Sequence, residues 1–473
     1  MKNQLKILSI SILLLVGCAA LPPSMHKDIT PPHQTRSGLK ISNQARDLSQ
    51  LKWWKKLHDP VLNQLITEAL AHNNQIKTAQ ANILQAEASL KAAHFAWLPT
   101  LSVAANGFIG ETVDTHFTPR GFLAQNPALA HMGNLHFKGY NSGFVPSYSL
   151  NILKNIYSDK LAQSTLTMQT AAYQSMRLST ISQISGAYFM LLGQREQCSL
   201  QIQLTHDLKK IRHLEFIRYH DGANDLSTVT QIDKQIANNK ANLTSIKSSI
   251  SQLENAIHIL LNQNPGPIAT QGKINRLSVD KLIPANVPSL VLKNRPDVVM
   301  AESNLKISLA NLGIAYSQFF PSISLTSSIG GASLDLSHLL KLNTGLLVAE
   351  AAASMPLLNG VAYEQVNAAK ASTQAAYFTY VQTLRTVFAD VDDSLTNQQQ
   401  KNEAYHDQLT ALHAAQSTYN LAKARYDAGA KDQREVLNAK LTLDYAKLDA
   451  NTAKMQQLDS VVEVYQALAG GYL

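Results

Sequence analysis

The sequence predicts a mainly α-helical protein made of two similar halves, with four strands per chain that belong to a membrane β-barrel. Three observations predict this fold class. The chain aligns with itself, each half carries unusually long helices, and short segments of alternating apolar and polar residues separate those helices. Since the elements follow the same order in both halves, we interpret the chain as a tandem duplication.

The internal repeat is clearest where a helix meets the following strand. Residues 79–102 match residues 301–324: an Ala-rich helical stretch runs into a pair of large apolar residues, then a proline, then alternating residues. Further along, residues 219–225 match residues 426–432, with long helical stretches on both sides. Two independent matches in the same order indicate duplication rather than chance.

The repeat divides the chain into five predicted segments. They are a signal peptide at 1–17, a lipid-anchored N-terminal segment at 18–58, a first repeat at 59–264, a linker at 265–295 and a second repeat at 296–473. The linker contains four prolines, and such a run cannot continue a helix.

The N-terminal segment is typical of an exported lipoprotein. Lys2 and Lys6 precede an apolar stretch at 7–16, which is too short to span a bilayer. The stretch ends in Leu-Val-Gly-Cys, which resembles the lipobox of bacterial lipoproteins, so we expect Cys18 to carry covalent lipid and to be the first mature residue. By the sorting rule of such lipoproteins, Ala19 rather than Asp after the cysteine favours the outer membrane as the destination. The alternative is an ordinary signal peptide that happens to contain a cysteine.

Composition and motifs argue against several other functions. The formal net charge of +8 is modest and scattered, so we expect no nucleic-acid binding. The 15 histidines include pairs seven residues apart, which is too far for one metal ion, and we interpret them as solvated helix positions. The chain has no zinc-helix, nucleophile-elbow or phosphate-loop motif. We therefore expect no enzyme, and no cofactor other than the lipid on Cys18.

Apolar residues at three-four spacing predict the long helices. Pro60, preceded by Asp59 as N-cap, opens one helix that we expect to reach about Trp97. A second is expected from Ser158 to about Arg218, because that stretch contains no proline. At 1.5 Å per residue, roughly 60 residues extend about 90 Å, several times the thickness of a bilayer core. Such helices must project into water, where their polar stripe faces either a lumen or solvent.

Four segments alternate with a period of two and predict strands at about 99–110, 140–151, 321–330 and 346–358. Each is apolar on one side and small and polar on the other, as a membrane barrel with a wet interior requires. A soluble antiparallel sheet with one buried face is the alternative. In a membrane, an open sheet edge leaves backbone groups unsatisfied, so several chains must contribute strands to one closed barrel.

Five further motifs are spread along nearly all of the mature chain: Trp53-Trp54 with Asp59-Pro60, Arg295-Pro296-Asp297-Val298, Phe319-Phe320-Pro321-Ser322-Ile323, residues 426–436, and Ala467-Leu468-Ala469-Gly470-Gly471. With these motifs the chain resembles the outer-membrane factors of the TolC and OprM type, and most closely the NodT-like efflux lipoproteins. One departure is the segment at 148–153, where such proteins often carry an acidic tryptophan-containing motif. This departure puts interior charge at that junction in doubt.

The resemblance implies a homotrimer, in which a barrel of twelve strands continues into a periplasmic barrel of twelve helices. It also implies drug or metabolite efflux from the outer membrane, together with a periplasmic adaptor and an inner-membrane pump of the RND type. A duct for type I protein secretion would share the whole architecture and remains an alternative. A periplasmic coiled-coil adaptor lipoprotein is a second alternative, but it would need a soluble β domain.

The resemblance also assigns a role to the two matching turns, because the equivalent hairpins of the family form the periplasmic tip, where the pore closes and adaptors dock. Glycines in the turns suit a positive backbone angle. The residues expected to form the gate or docking surface are Arg218, Tyr219, Asp221, Gly222 and Asp225 in the first hairpin, and Arg425, Tyr426, Asp427, Gly429 and Asp432 in the second. For any single residue, a solvated charge at a turn is the alternative.

Overall fold

The structure is a computed structural model that describes residues 41–42, 51–111, 136–279, 282, 287–288, 294–339, 341 and 345–472. The expected signal peptide at 1–17 and the expected lipidation site at Cys18 lie outside these residues, as does most of the expected N-terminal segment at 18–58.

The helices of the described residues follow one another as α1 Pro60–His72, α2 Asn74–Phe95, α3 Ile152–His220, α4 Leu226–Leu260, α5 Pro296–Ser317, α6 Gly360–Asp427 and α7 Gln433–Ala467. The longest two, α3 and α6, have 69 and 68 residues, and so exceed the roughly 60 residues expected from the sequence. Among the described helices, none combines the length and the apolar character needed to cross a membrane.

The first predicted helix is in fact two helices, which corrects the expectation of one helix to about Trp97. The break is at Asn73, whose ψ of 127° is not helical. Its side-chain oxygen accepts hydrogen bonds from the N–H groups of Gln75 at 2.8 Å and Ile76 at 3.2 Å, so it caps α2. Its side-chain nitrogen donates to the carbonyl oxygen of Leu260 at 2.9 Å. The residue at the break thus also contacts a residue 187 positions further along the chain.

The strands of the described residues are β1 Ile41–Ser42, β2 Thr100–Glu111, β3 His136–Leu150, β4 Val287–Pro288, β5 Ser322–Ser333 and β6 Gly345–Ser354. A four-stranded antiparallel sheet has the order β2-β3-β5-β6, and β1 pairs with β4 in a separate parallel pair. The predicted four strands are thereby confirmed. However, β3 begins at His136 rather than 140, and β6 ends at Ser354 rather than 358, because Pro356 lacks the N–H that would extend the ladder.

The elements repeat in order along the chain. A helix, two strands, a long helix and a shorter helix appear as α2, β2, β3, α3 and α4, and again as α5, β5, β6, α6 and α7. The two shorter partner helices, α4 and α7, both have 35 residues.

The chain forms two compact units. One contains 165–305, 376–473 and the residues before 87, and the other contains 87–164 and 306–375. The first holds the largest hydrophobic core, in which the ring of Trp53 stacks on that of Tyr465 with centroids 4.8 Å apart. In the same core the hydroxyl of Tyr188 donates to Asp59 at 2.9 Å, and burial raises the pKa of Tyr188. The second unit contains the four-stranded sheet.

Candidate functional site

Two helical hairpins, α3–α4 and α6–α7, end in matching turns. Gly222 and Gly429 adopt φ angles of 70° and 72°, a region that residues with a Cβ rarely occupy. In the first turn, the N–H of Ala223 donates to the carbonyl of Arg218 at 2.7 Å, and the second turn has the same bond at the equivalent positions. This pattern closes the last helical turn and reverses the chain.

An aspartate caps the returning helix of each hairpin. Asp225 accepts a hydrogen bond from the N–H of Ser227 at 2.9 Å at the start of α4. Asp432 accepts from the N–H of Glu435 at 3.1 Å at the start of α7. Both aspartates therefore have a structural role, since a lost cap costs about 1 kcal/mol.

A cluster of charged side chains joins the two hairpins. The carboxylate of Glu215, only 2% exposed, lies 2.9 Å from the guanidinium of Arg434 and 3.8 Å from that of Arg218. It also accepts a hydrogen bond from the amide of Asn224. Arg218 in turn lies 3.8 Å from the carboxylate of Asp432. We call Glu215, Arg218, Asp432 and Arg434 the tip clamp, because it links the end of α3 to the start of α7.

The other expected tip residues lie on the surface of the single chain. Tyr219 and Tyr426 are 39% and 42% exposed. Asp221 is exposed and has the imidazole of its neighbour His220 3.5 Å away. Of the ten expected residues, the structure thus brings Arg218 and Asp432 into the tip clamp, and places Gly222, Gly429 and Asp225 in the turns and at the cap.

Sequence reasoning missed Glu215 and Arg434, which have the closest charged contact of the clamp. Glu215 precedes the matching turns and therefore lay outside the repeated motif. One signal was available, because Glu215 stands three residues before Arg218 on the same helical face. Nothing in the sequence links it to Arg434, which lies on α7.

A second charged cluster lies between the same helices. The side chains of Asp207 on α3 and Asp444 on α7 are 7% and 3% exposed, and Lys440 bonds to Asp444 and lies 3.4 Å from Asp207. Burial raises the pKa of Asp444 above its ordinary value. Burial also acts on Asp207, but its hydrogen bond with Asp444 and the charges of Lys440 and Lys210 hold its pKa below the ordinary value. Among the described residues, no group of side chains is arranged to hold a metal ion.

The family is shown by a match that covers most of the chain. The family model described as "Outer membrane efflux protein" matches residues 65–263 and 287–470. The chain belongs to the outer membrane efflux protein family. This outer membrane efflux protein is 25% identical over 484 residues to the "Probable efflux pump outer membrane protein TtgC" of Pseudomonas putida, which covers all of this chain and 96% of that protein. It is 26% identical over 472 residues to the "Cation efflux system protein CusC" of Escherichia coli K12, with 97% of each covered.

Solved structures show the same fold. The CmeC outer membrane channel of Campylobacter jejuni is 23% identical and aligns with a TM-score of 0.80 over 96% of this chain and 95% of that one. The outer-membrane channel OprN, at 21% identity, aligns with a TM-score of 0.79 over 94% of this chain and 99% of that one.

These findings confirm the resemblance stated from the sequence. The protein is an efflux channel of the outer membrane. Members of the family are channels, and they work as trimers within tripartite pumps. The alternative of a periplasmic adaptor is therefore wrong, because an adaptor is not a member of the channel family.

Proposed function

We propose that this efflux protein is the exit duct of a tripartite pump whose periplasmic adaptor and inner-membrane pump of the RND type deliver the cargo. Drugs or other small molecules then pass through the duct without chemical change, and the hairpin tips form its periplasmic gate. The observation that carries the gate is the tip clamp, which joins the two hairpins of one protomer close to their turns. The names of curated relatives, which cite toluene and cations, support small cargo rather than exported protein.

The sheet supports a duct built from several copies. In the order β2-β3-β5-β6, the strands β2 and β6 are the two edges, and the side chains of β6 are exposed along its length. An unpaired edge in lipid would leave backbone N–H and C=O groups without partners. Pairing β6 of one protomer with β2 of the next satisfies both edges, and three protomers give twelve strands.

The energetics of the clamp suit a gate that a partner can open. Asp432 is 66% exposed, and its ion pair with Arg218 therefore contributes at most about 1 kcal/mol. Three protomers therefore hold the closed state by a few kcal/mol in total, which docking of an adaptor can supply. Glu215 is buried, so opening requires that its carboxylate be given another cation or water.

The experiment removes the two arginine contacts while sparing the helix cap. Replacing Arg434 by Gln deletes its ion pair with Glu215, and replacing Arg218 by Gln deletes its pairs with Glu215 and Asp432. Both variants leave Asp432 in place to cap α7. Loss of about 1 kcal/mol raises the ratio of open to closed channels roughly fivefold per protomer. We therefore expect a higher mean conductance in planar bilayers for both variants, and a larger rise when they are combined.

Lys431→Gln is the matched control, because the partner of Lys431 is Glu435 at 3.0 Å on the same hairpin. This pair links nothing across the two hairpins, so the control should conduct like the wild type. Wild-type conductance in Arg218→Gln and in Arg434→Gln would contradict the gate.

A further inference from the structure

The strands of the sheet carry very few charged side chains. Glu111 and Lys138 lie close to the loop that joins β2 to β3. The only other Asp, Glu, Lys or Arg in β2, β3, β5 and β6 is Glu350, in the middle of β6. A carboxylate in the middle of a strand of a membrane sheet needs a wet face or a partner.

The strand register places Glu350 in a row of hydroxyl groups. Glu350 is opposite Thr326, Thr326 is opposite Ser147, and Ser147 is opposite Thr100. Each of the four strands thus contributes one polar side chain to this row. The hydroxyls of Thr100 and Ser147 lie 3.2 Å apart, within hydrogen-bonding distance.

On the opposite face of the sheet, the row nearest to Glu350 in which all four strands are paired is apolar. Val103, Phe144, Ile329 and Leu347 are opposite one another in the same way, and all four are exposed in the chain, Val103 by 74% and Leu347 by 70%. Leu347 stands an odd number of residues from Glu350, so the two side chains point to different faces. Because the exposed apolar row belongs in lipid, the row of Glu350 faces the interior.

We infer that Glu350 and its two copies form a ring inside the closed sheet that selects cations and cationic small molecules over anions. The inference rests on the proposed trimeric duct. It adds a residue that determines the specificity of conduction, because the three carboxylates are symmetry copies and lie at one level of the pore, with the hydroxyls of Thr326, Ser147 and Thr100 following in the row.

Elementary geometry gives the size of the effect. Twelve strands about 4.8 Å apart and tilted by about 40° close with a radius of roughly 12 Å, so a glutamate carboxylate lies about 7 Å from the axis. That distance is within the Debye length of about 10 Å at 0.1 M salt. Three such charges enrich monovalent cations on the axis roughly fourfold at 0.1 M salt, and about tenfold at 0.01 M.

The neighbouring strand charge does not cancel this field. Lys138 pairs with Asp335 at 2.8 Å, so the two together carry no net charge. Thr326, which is next to Glu350 in the row, and Ser147 beyond it are neutral. The carboxylates therefore dominate the field at their own level of the sheet.

The test measures the permeability ratio of K⁺ to Cl⁻ for the full-length protein in planar bilayers under a KCl gradient. We expect Glu350→Gln to lower the ratio several-fold, Glu350→Lys to lower it further, and Glu350→Asp to keep a ratio close to that of the wild type. The difference between wild type and Glu350→Gln should widen from 0.1 M to 0.01 M salt, because the charges are screened less at low salt.

Glu68→Gln is the matched control, because it removes the same charge from α1, outside the sheet. Migration as a heat-labile trimer shows that each variant has assembled. Wild-type permeability ratios in Glu350→Gln and Glu350→Lys channels overturn the ring but leave the duct intact. A wild-type protein that assembles and forms no channel overturns the duct and the ring together.

Discussion

The close approach of β3 and β5 gives the sharpest test of the sheet. Gly330 is opposite Gly143 in the register. A Cβ on Gly330 would lie 2.0 Å from the carbonyl oxygen of Ser142 and 2.5 Å from the Cα of Gly143. Both are backbone atoms, which cannot rotate away as a side chain can. We therefore expect Gly330→Ala to push the two strands apart.

The magnitude follows from the contact distances. Ordinary non-bonded contacts need about 3.5 Å, so the strands must separate by more than about 1 Å. Two ladder hydrogen bonds are then weakened, at about 1 kcal/mol each, and residual strain adds about 1 to 3 kcal/mol. The smaller conformational freedom of alanine in the unfolded chain offsets less than about 1 kcal/mol. We expect a net loss of about 3 kcal/mol per protomer.

The assay is the thermal midpoint of the detergent-solubilised trimer, followed by its migration on a gel after graded heating. Scaling the unfolding entropy to 473 residues gives about 1 kcal/mol per degree, so the midpoint should fall by roughly 3 °C. Gly345→Ala is the control in the same sheet, because a Cβ at Gly345 meets no atom within 4 Å. Equal midpoints for the two variants would refute the steric reasoning.

Two further predictions concern the helices and the anchor. Burial raises the pKa of Asp444, so stability from its protonated form is present at low pH and lost as pH rises through that raised pKa. Asp207, whose pKa is lowered, acts in the opposite sense and loses its contribution only in stronger acid. Asp444→Asn should flatten the fall in midpoint that occurs as the pH rises from the ordinary carboxyl range through the raised pKa of Asp444; an unchanged slope speaks against the buried pair. In a Cys18→Ala variant that keeps a cleavable signal, we expect few trimers to assemble, and those that assemble should have normal conductance. Fully assembled but non-conducting trimers would contradict an anchoring role.

Local patterns in the sequence were enough to predict the elements themselves. The apolar spacing along 158–218 predicted a long helix, and the structure shows one at Ile152–His220. Alternation after Pro99 and Pro321 predicted β2 and β5 within two or three residues of their observed bounds. The periods of helix and strand arise from neighbours along the chain, so the sequence displays them directly.

The outcomes that the sequence did not determine all depend on contacts between distant residues. Asn73 at the break between α1 and α2 bonds to Leu260, and Glu215 meets Arg434 from another helix. In the sequence Glu350 is one polar residue of the fourth alternating segment, and only the register places it beside Thr326. A one-residue slip of that register would move Glu350 to the lipid face. The sequence by itself therefore determined a duplicated chain of long helices and four strands. The tertiary structure decided which charges meet and which face they occupy, because pairing and register are set by packing between segments and not by periodicity within one.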